Sequence, residues 1–199
     1  DLIASTSRAP KEGETVIGMN FRTAPGGKGA NQAVQCARLG ADVTMVGRVG
    51  NDAFGTILQN AVKDAGIDVS HVTVDPQESS GVGHITLEVT EHNAKNRITV
   101  CPGANFTMKE EHIAWLKDAI GQYDMVIMQL ELPMDIVKTV ARWAKESGVP
   151  VMLNPAPAAA LSDDLLSCVT YLSPNEHEAA LMAGHEIDVS EGINMEDVK

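Results

Sequence analysis

From about residue 124 to residue 184 the chain alternates short apolar runs with helical periodicity, and that rhythm restricts the fold more than any other feature. Met125-Val126-Ile127-Met128-Gln129-Leu130 has the length and the near-continuous apolar character of a strand buried on both faces. Pro133 suits a first helical turn, and Ile136, Val137, Val140 and Ala144 follow at helical spacing as far as Gly148. Residues 150–153 and 169–172 predict two further strands with a short helix over 163–167 between them, and a last helix over Glu176–Ala183 stops at Gly184. Strand–helix–strand repetition requires parallel pairing through right-handed crossovers, so the fold class is α/β.

The first half carries the same signals with interruptions. Residues 30–39 predict a helix ended by Gly40, and 43–46 a strand. Asp52 suits the N-cap of a helix carrying Phe54, Ile57, Leu58, Ala61, Val62 and Ala65, closed by Gly66. Ile113, Leu116 and Ile120 mark another helix before the 125 strand. Residues 15–24, and the pair Val82–Val89 and 97–101, read as strands with no helix between them; the pair is a hairpin turning over 90–96. These strands predict a small, mainly antiparallel sheet, which buries little alone and must pack on something or pair with another subunit. The organisation expected is an α/β body over 26–79 and 102–199, with 1–25 and 80–101 as a β lid or dimer clasp. An edge extension of the main sheet is the plainer alternative.

Composition removes several classes of function. Against 15 basic residues stand 27 acidic ones, and the net charge of −12 repels phosphate backbones. Aromatic residues make up 4% of the chain, too few for the stacking platforms of single-strand binders, so no nucleic acid partner is expected. No apolar run approaches the ~18 residues that span a bilayer, and no signal peptide is recognised, so no membrane is expected either. Cys36, Cys101 and Cys168 form neither a disulfide framework nor a metal pattern, which suits a reducing, cytoplasmic setting. The six histidines are scattered, so a zinc site is not expected, and no nucleophile elbow is present. The chain opens at Asp1 rather than Met, and residues 195–199 read as the start of a helix, so both ends are expected to be incomplete.

Ligands of open parallel sheets bind beyond the carboxyl ends of the strands. Glu131, Asn154 and Asn175 each end an apolar run at that edge, and packing explains none of them, although a cap or a solvated loop group would look the same. Pro25-Gly26-Gly27-Lys28-Gly29-Ala30-Asn31 leads straight into a helix. Glycines there let backbone approach a ligand and the helix start offers N–H groups to oxygens, with Lys28 and Asn31 as added donors for a hydroxyl-rich molecule. It lacks Walker A spacing, and a tight turn is the alternative. Asn175 and Glu178, three apart, can face the same helix end and organise hydrated Mg²⁺ and phosphate oxygens, or form a capping box and nothing more.

Taken together these residues resemble the ribokinases, within the larger ribokinase-like family of sugar and nucleoside kinases. Gly26-Gly27-Lys28-Gly29-Ala30-Asn31-Gln32-Ala33 is similar to that family's first signature, and Lys28 with Gln32 resembles its ribokinase form rather than fructokinase or adenosine kinase. Met128-Gln129-Leu130-Glu131, Asn154-Pro155-Ala156-Pro157-Ala158, Pro174-Asn175-Glu176 with Glu178, Pro10 with Gly13-Glu14-Thr15, and Gly50 with Asp52 and Gly55 match in order and spacing, so the similarity covers essentially the whole chain. The resemblance implies a Rossmann-like three-layer sandwich with a parallel central sheet and a small β-sheet lid, dimerising lid to lid. It implies ATP-dependent phosphorylation of D-ribose to ribose 5-phosphate, the sugar lying between sheet edge and lid. Its hydroxyls would be held by Asp1, Gly27, Lys28, Asn31 and Glu131. Asn175 would position nucleotide phosphates, and Glu178 would act on Mg²⁺ through water.

One departure matters. Ribokinases carry a Gly-Ala-Gly-Asp segment whose Asp takes the proton from the sugar 5-hydroxyl, and no Gly-x-Gly-Asp occurs in these 199 residues. By the same resemblance the base pocket and the K⁺ site lie in a part not present, and the first core strand is missing. The chain therefore resembles the N-terminal two-thirds of a ribokinase, with no catalytic residue of its own. Alone it is expected to bind sugar weakly at most, to show no turnover, and to be poorly soluble or marginally stable, since an incomplete sheet exposes apolar faces. The alternatives are another sugar or nucleoside kinase such as a deoxyribokinase, or a non-catalytic sugar-binding module.

Overall fold

Strands of three sheets form among the described residues of the computed structural model, which are 1–90 and 94–184. The chain divides into two units, Asp1–Thr107 and Met108–Lys199.

In the first unit β1 (Leu2–Thr6), β2 (Asn20–Thr23), β5 (Val82–Val89) and β6 (Ala94–Cys101) form one sheet in the order β2-β1-β5-β6. The same unit holds α1 (Lys28–Arg38), β3 (Thr44–Gly50), α2 (Ala53–Asp64) and β4 (Asp68–Asp75), with β3 and β4 paired in parallel as a second sheet. The four-stranded sheet has the expected hairpin, β5–β6, but also a parallel pair, β1–β5, in which Leu2 stands opposite His84. Sequence reasoning gives no strand to Leu2–Thr6 or to Asp68–Asp75. The strand expected over 15–24 is confined to Asn20–Thr23, all four of whose residues are exposed, so no buried face extends it.

The helices owe their places to one apolar stripe each. Ala30, Ala33, Val34 and Ala37 of α1 pack with Val62 of α2 and with Val43, Met45, Ile67 and Val69. α1 starts at Lys28, two residues before the expected 30, because Gly27 at φ 99° turns the chain straight into helix. α2 starts where expected, with the Asp52 carboxylate accepting the Gly55 N–H at 2.7 Å.

In the second unit β7 (Val126–Met128), β8 (Val151–Leu153) and β9 (Tyr171–Leu172) form a parallel sheet in that order. α5 (Met134–Glu146) crosses between β7 and β8, α6 (Asp163–Leu166) between β8 and β9, and α7 (Glu176–Ala183) follows. The continuous helix expected through Ile113, Leu116 and Ile120 is instead α3 (Glu110–Ile113), α4 (Leu116–Ala119) and a 3₁₀ turn over Ile120–Gln122. All three apolar residues are nevertheless buried, and Ala114 and Trp115 keep helical dihedrals where the ladder is interrupted. Burial fixes the face; it does not keep every hydrogen bond.

The core of this unit is the inner face of α5 with Val151 and Leu153 of β8. Leu153 is fully buried. Leu153→Ala is expected to cost about 2–5 kcal/mol of unfolding free energy, since the removed methyl groups leave a cavity. Denaturant unfolding measures it, and a loss under about 1 kcal/mol would mean that the strand is loosely packed. Among the described residues no helix is long and apolar enough to cross a membrane.

Candidate active site

The first group of expected site residues gathers where the β1–β2 ladder ends. Asp1 N donates to the Ala24 carbonyl at 2.7 Å and Ala24 N donates back to the Asp1 carbonyl at 3.0 Å. This reciprocal pair ties Asp1 to the start of the glycine loop. A Cβ on Gly26 would come within 2.8 Å of Asp1 Cγ, and one on Gly83 of β5 within 2.5 Å of Asp1 Oδ1. The carboxylate therefore lies against both Gly26 and Gly83, and a Cβ at either position would require the Asp1 side chain to shift. No hydrogen bond to either of its oxygens comes from the described residues, so both retain their lone pairs for a ligand.

Gly27 caps α1 through its backbone alone: its carbonyl accepts the Asn31 N–H at 2.9 Å and no side chain caps the helix. The first turn has Lys28, half-buried, and no acidic residue, so the positive helix end faces no carboxylate of its own. N–H groups, a lysine and an amide beside an unengaged carboxylate suit a polyhydroxylated molecule, whose hydroxyls both donate and accept.

The second group stands at the carboxyl edge of β7, β8 and β9. Asn154 N donates to the Met128 carbonyl at 2.9 Å and Leu130 N to the Ala156 carbonyl at 2.9 Å, so the exits of β7 and β8 are laced together just before Glu131. Asn154 Nδ2 donates to the Ser173 carbonyl at 2.7 Å, tying β8 to the exit of β9. That amide is thus at least partly a structural clasp.

Asn175 and Glu178 form the capping box. Asn175 Oδ1 accepts the Glu178 N–H at 2.8 Å, and Glu178 Oε2 accepts the Asn175 N–H at 2.9 Å. Glu178 is only 7% exposed, yet its Oε1 has no partner among the described residues. Cap and ligand roles are therefore compatible: one oxygen holds the helix start and the other remains for a water or a hydrated cation. Among the described residues no three His, Cys, Asp or Glu side chains group to bind a metal directly.

Sequence reasoning missed Gly83. Its signal is a lone glycine inside a strand pattern, which marks a close approach of something to the backbone.

Residues 1–197 match the model of pfkB family carbohydrate kinases. The chain belongs to the pfkB family. Within the pfkB kinases it is 40% identical to the ribokinase of Bacillus subtilis over 199 residues, all of this chain and 66% of that protein. It is 34% identical to a deoxyribokinase of Salmonella typhi, over 97% of this chain and 62% of that protein. The Arabidopsis thaliana ribokinase complexed with ribose and ATP superposes with a TM-score of 0.82 at 31% identity, over 99% of this chain and 63% of that one. The chain thus spans slightly less than two thirds of these relatives.

Proposed function

We propose that the protein phosphorylates D-ribose with ATP, giving ribose 5-phosphate and ADP. The observation that carries this reading is the Asp1 carboxylate, held against Gly26 and Gly83 beside the start of α1 with both oxygens unengaged by described residues. A carboxylate with two acceptor oxygens suits a vicinal diol. Asp1 takes two sugar hydroxyls; Gly27, Lys28 and Asn31 donate to others; Glu131 accepts a further one. Asn175 would position nucleotide phosphates, and Glu178 would hold Mg²⁺ through water. When bound, Mg²⁺ neutralises charge on the phosphoryl oxygens; the protein's share is to position and to exclude water. A K⁺ ion and the general base are carried by residues other than those described.

The sheet β2-β1-β5-β6 acts as lid and as the contact of a homodimer. Ile17, Met19 and Phe21 around β2 and Ile98 and Val100 on β6 are exposed, which gives that sheet apolar surface to cover. Ribose and ATP are the partners, in the cytoplasm. A deoxyribokinase is the second reading, supported by the 34% identity; it leaves one Asp1 oxygen without a hydroxyl.

ADP release by the full-length protein with ribose, 2-deoxyribose, fructose and adenosine tests the proposal. The expected order puts ribose first, with 2-deoxyribose lower in kcat/KM by about tenfold or more. A preference for 2-deoxyribose assigns the second reading; inactivity with all four sinks both.

A further inference from the structure

Asp52 does more than cap α2. Its Oδ1 accepts the Gly55 N–H at 2.7 Å and the Ser80 hydroxyl at 2.7 Å, while Oδ2 accepts the Ser80 N–H at 2.8 Å. Ser80 Oγ in turn accepts the Gly50 N–H at 3.0 Å, and Ser80 is only 2% exposed. A helix cap needs one of these bonds; the other two reach a residue 28 positions away.

Ser80 lies at the root of the β5–β6 hairpin. The outgoing and returning strands are pressed together there. A Cβ on Gly81 would lie 2.7 Å from the Pro102 carbonyl oxygen, one on Gly103 2.9 Å from Gly81 N, and one on Gly50 2.5 Å from the Glu78 carbonyl oxygen. Ala104 N donates to the Ser79 carbonyl at 2.8 Å. Such backbone-to-backbone contact leaves no slack, so whatever fixes Ser80 fixes the level at which β5 runs beside β1. Three residues beyond Ser80 is Gly83, the wall against which the Asp1 carboxylate rests.

We infer that Asp52 and Ser80 form a positioning pair for sugar binding, which sets Gly83 against the Asp1 carboxylate by clamping the root of the hairpin to the β3–α2 corner. The inference rests on the sugar-kinase reading for the role of Asp1. The bonds to Ser80 and Gly55 hold the Asp52 carboxyl below the usual carboxylate range, so the clamp stays charged at neutral pH.

The test uses three variants of the full-length protein. Ser80→Ala removes the hydroxyl that joins Asp52 to Gly50. Asp52→Asn keeps an oxygen for the Gly55 cap but sets an N–H donor against a second donor at Ser80. Ser80→Thr restores the hydroxyl. The first two are expected to raise KM for the sugar by about tenfold, with KM for ATP changed less than about twofold, while Ser80→Thr stays near the parent. Hydrogen exchange supplies a readout that needs no activity: amides of Gly83 and Ile85 exchange faster in Ser80→Ala and Asp52→Asn and not in Ser80→Thr. Lowered melting temperature with parental sugar KM and parental exchange at Gly83 would overturn the inference. If the parent protein phosphorylates no sugar, the functional reading fails by itself, and exchange at Gly83 still decides the clamp.

Discussion

Asp1→Ala in the full-length protein is expected to lower kcat/KM for ribose by about 10²–10⁴-fold, with melting temperature nearly unchanged. The magnitude comes from two hydroxyl bonds to a charged acceptor, each contributing about 1.5–3 kcal/mol, where about 1.4 kcal/mol corresponds to a factor of ten. The small effect on stability follows because no described residue donates a hydrogen bond to this carboxylate, so its removal leaves no donor stranded. The anchor of the loop is the main-chain pair with Ala24, which alanine keeps. Asp1→Asn retains one acceptor oxygen and is expected to fall between parent and alanine. With 2-deoxyribose the alanine variant should lose less than with ribose, because one of the two hydroxyls is absent. Steady-state kinetics with both sugars measure this. A loss below about fivefold with ribose would place the diol elsewhere and leave the glycine pair without a purpose.

Which parts of the fold were legible in the sequence is a matter of which contacts leave a local trace. The C-terminal rhythm of β7, α5, β8, α6, β9 and α7 was legible to within about three residues at most ends, since apolar strands and capped helices are encoded by neighbours in sequence. Val82–Val89 was legible from end to end for the same reason. β4 was not, because its strand is rich in polar residues, and two of them, Thr73 and Asp75, bond to partners distant in sequence. Arg48 Nη2 lies 3.0 Å from Asp75 Oδ2, with both side chains largely buried. The Thr107 hydroxyl and the backbone N–H groups of Gln77 and Glu78 also bond to Asp75 and hold its carboxyl well below the ordinary range. Read alone, Asp68, Ser70, His71, Thr73 and Asp75 resemble a loop. Nor was β1 legible, because Leu2-Ile3-Ala4-Ser5-Thr6 shows neither strict alternation nor a continuous apolar run.

The site divides along the same line. The glycine loop and the edge residues Glu131, Asn154 and Asn175 stand out in the sequence as candidates by residue type and spacing, whereas a sugar-binding role for Asp1 and Glu131 is implied only by the resemblance. Gly83 and the Ser80 clamp escaped both. They matter through contacts between segments that are far apart in sequence, which neither periodicity nor a short motif records.

Glu178→Gln is the variant expected to separate cap from cation. Glutamine keeps an oxygen to accept the Asn175 N–H, so the capping box and the start of α7 should survive, and the melting temperature should hardly move. What glutamine removes is the charge on the carboxylate whose Oε1 has no described partner. If that oxygen holds a water of Mg²⁺, kcat at saturating ribose falls about 10–100-fold and half-saturation moves to higher Mg²⁺. Glu178→Ala loses both functions: the same catalytic defect appears, together with about 1 kcal/mol of stability from the unpaired helix start. A residue that only caps gives the opposite pattern, with glutamine silent in kinetics and alanine altering kinetics only in proportion to unfolded protein. The Mg²⁺ titration decides between them, because a cap has no reason to change how much cation the reaction requires.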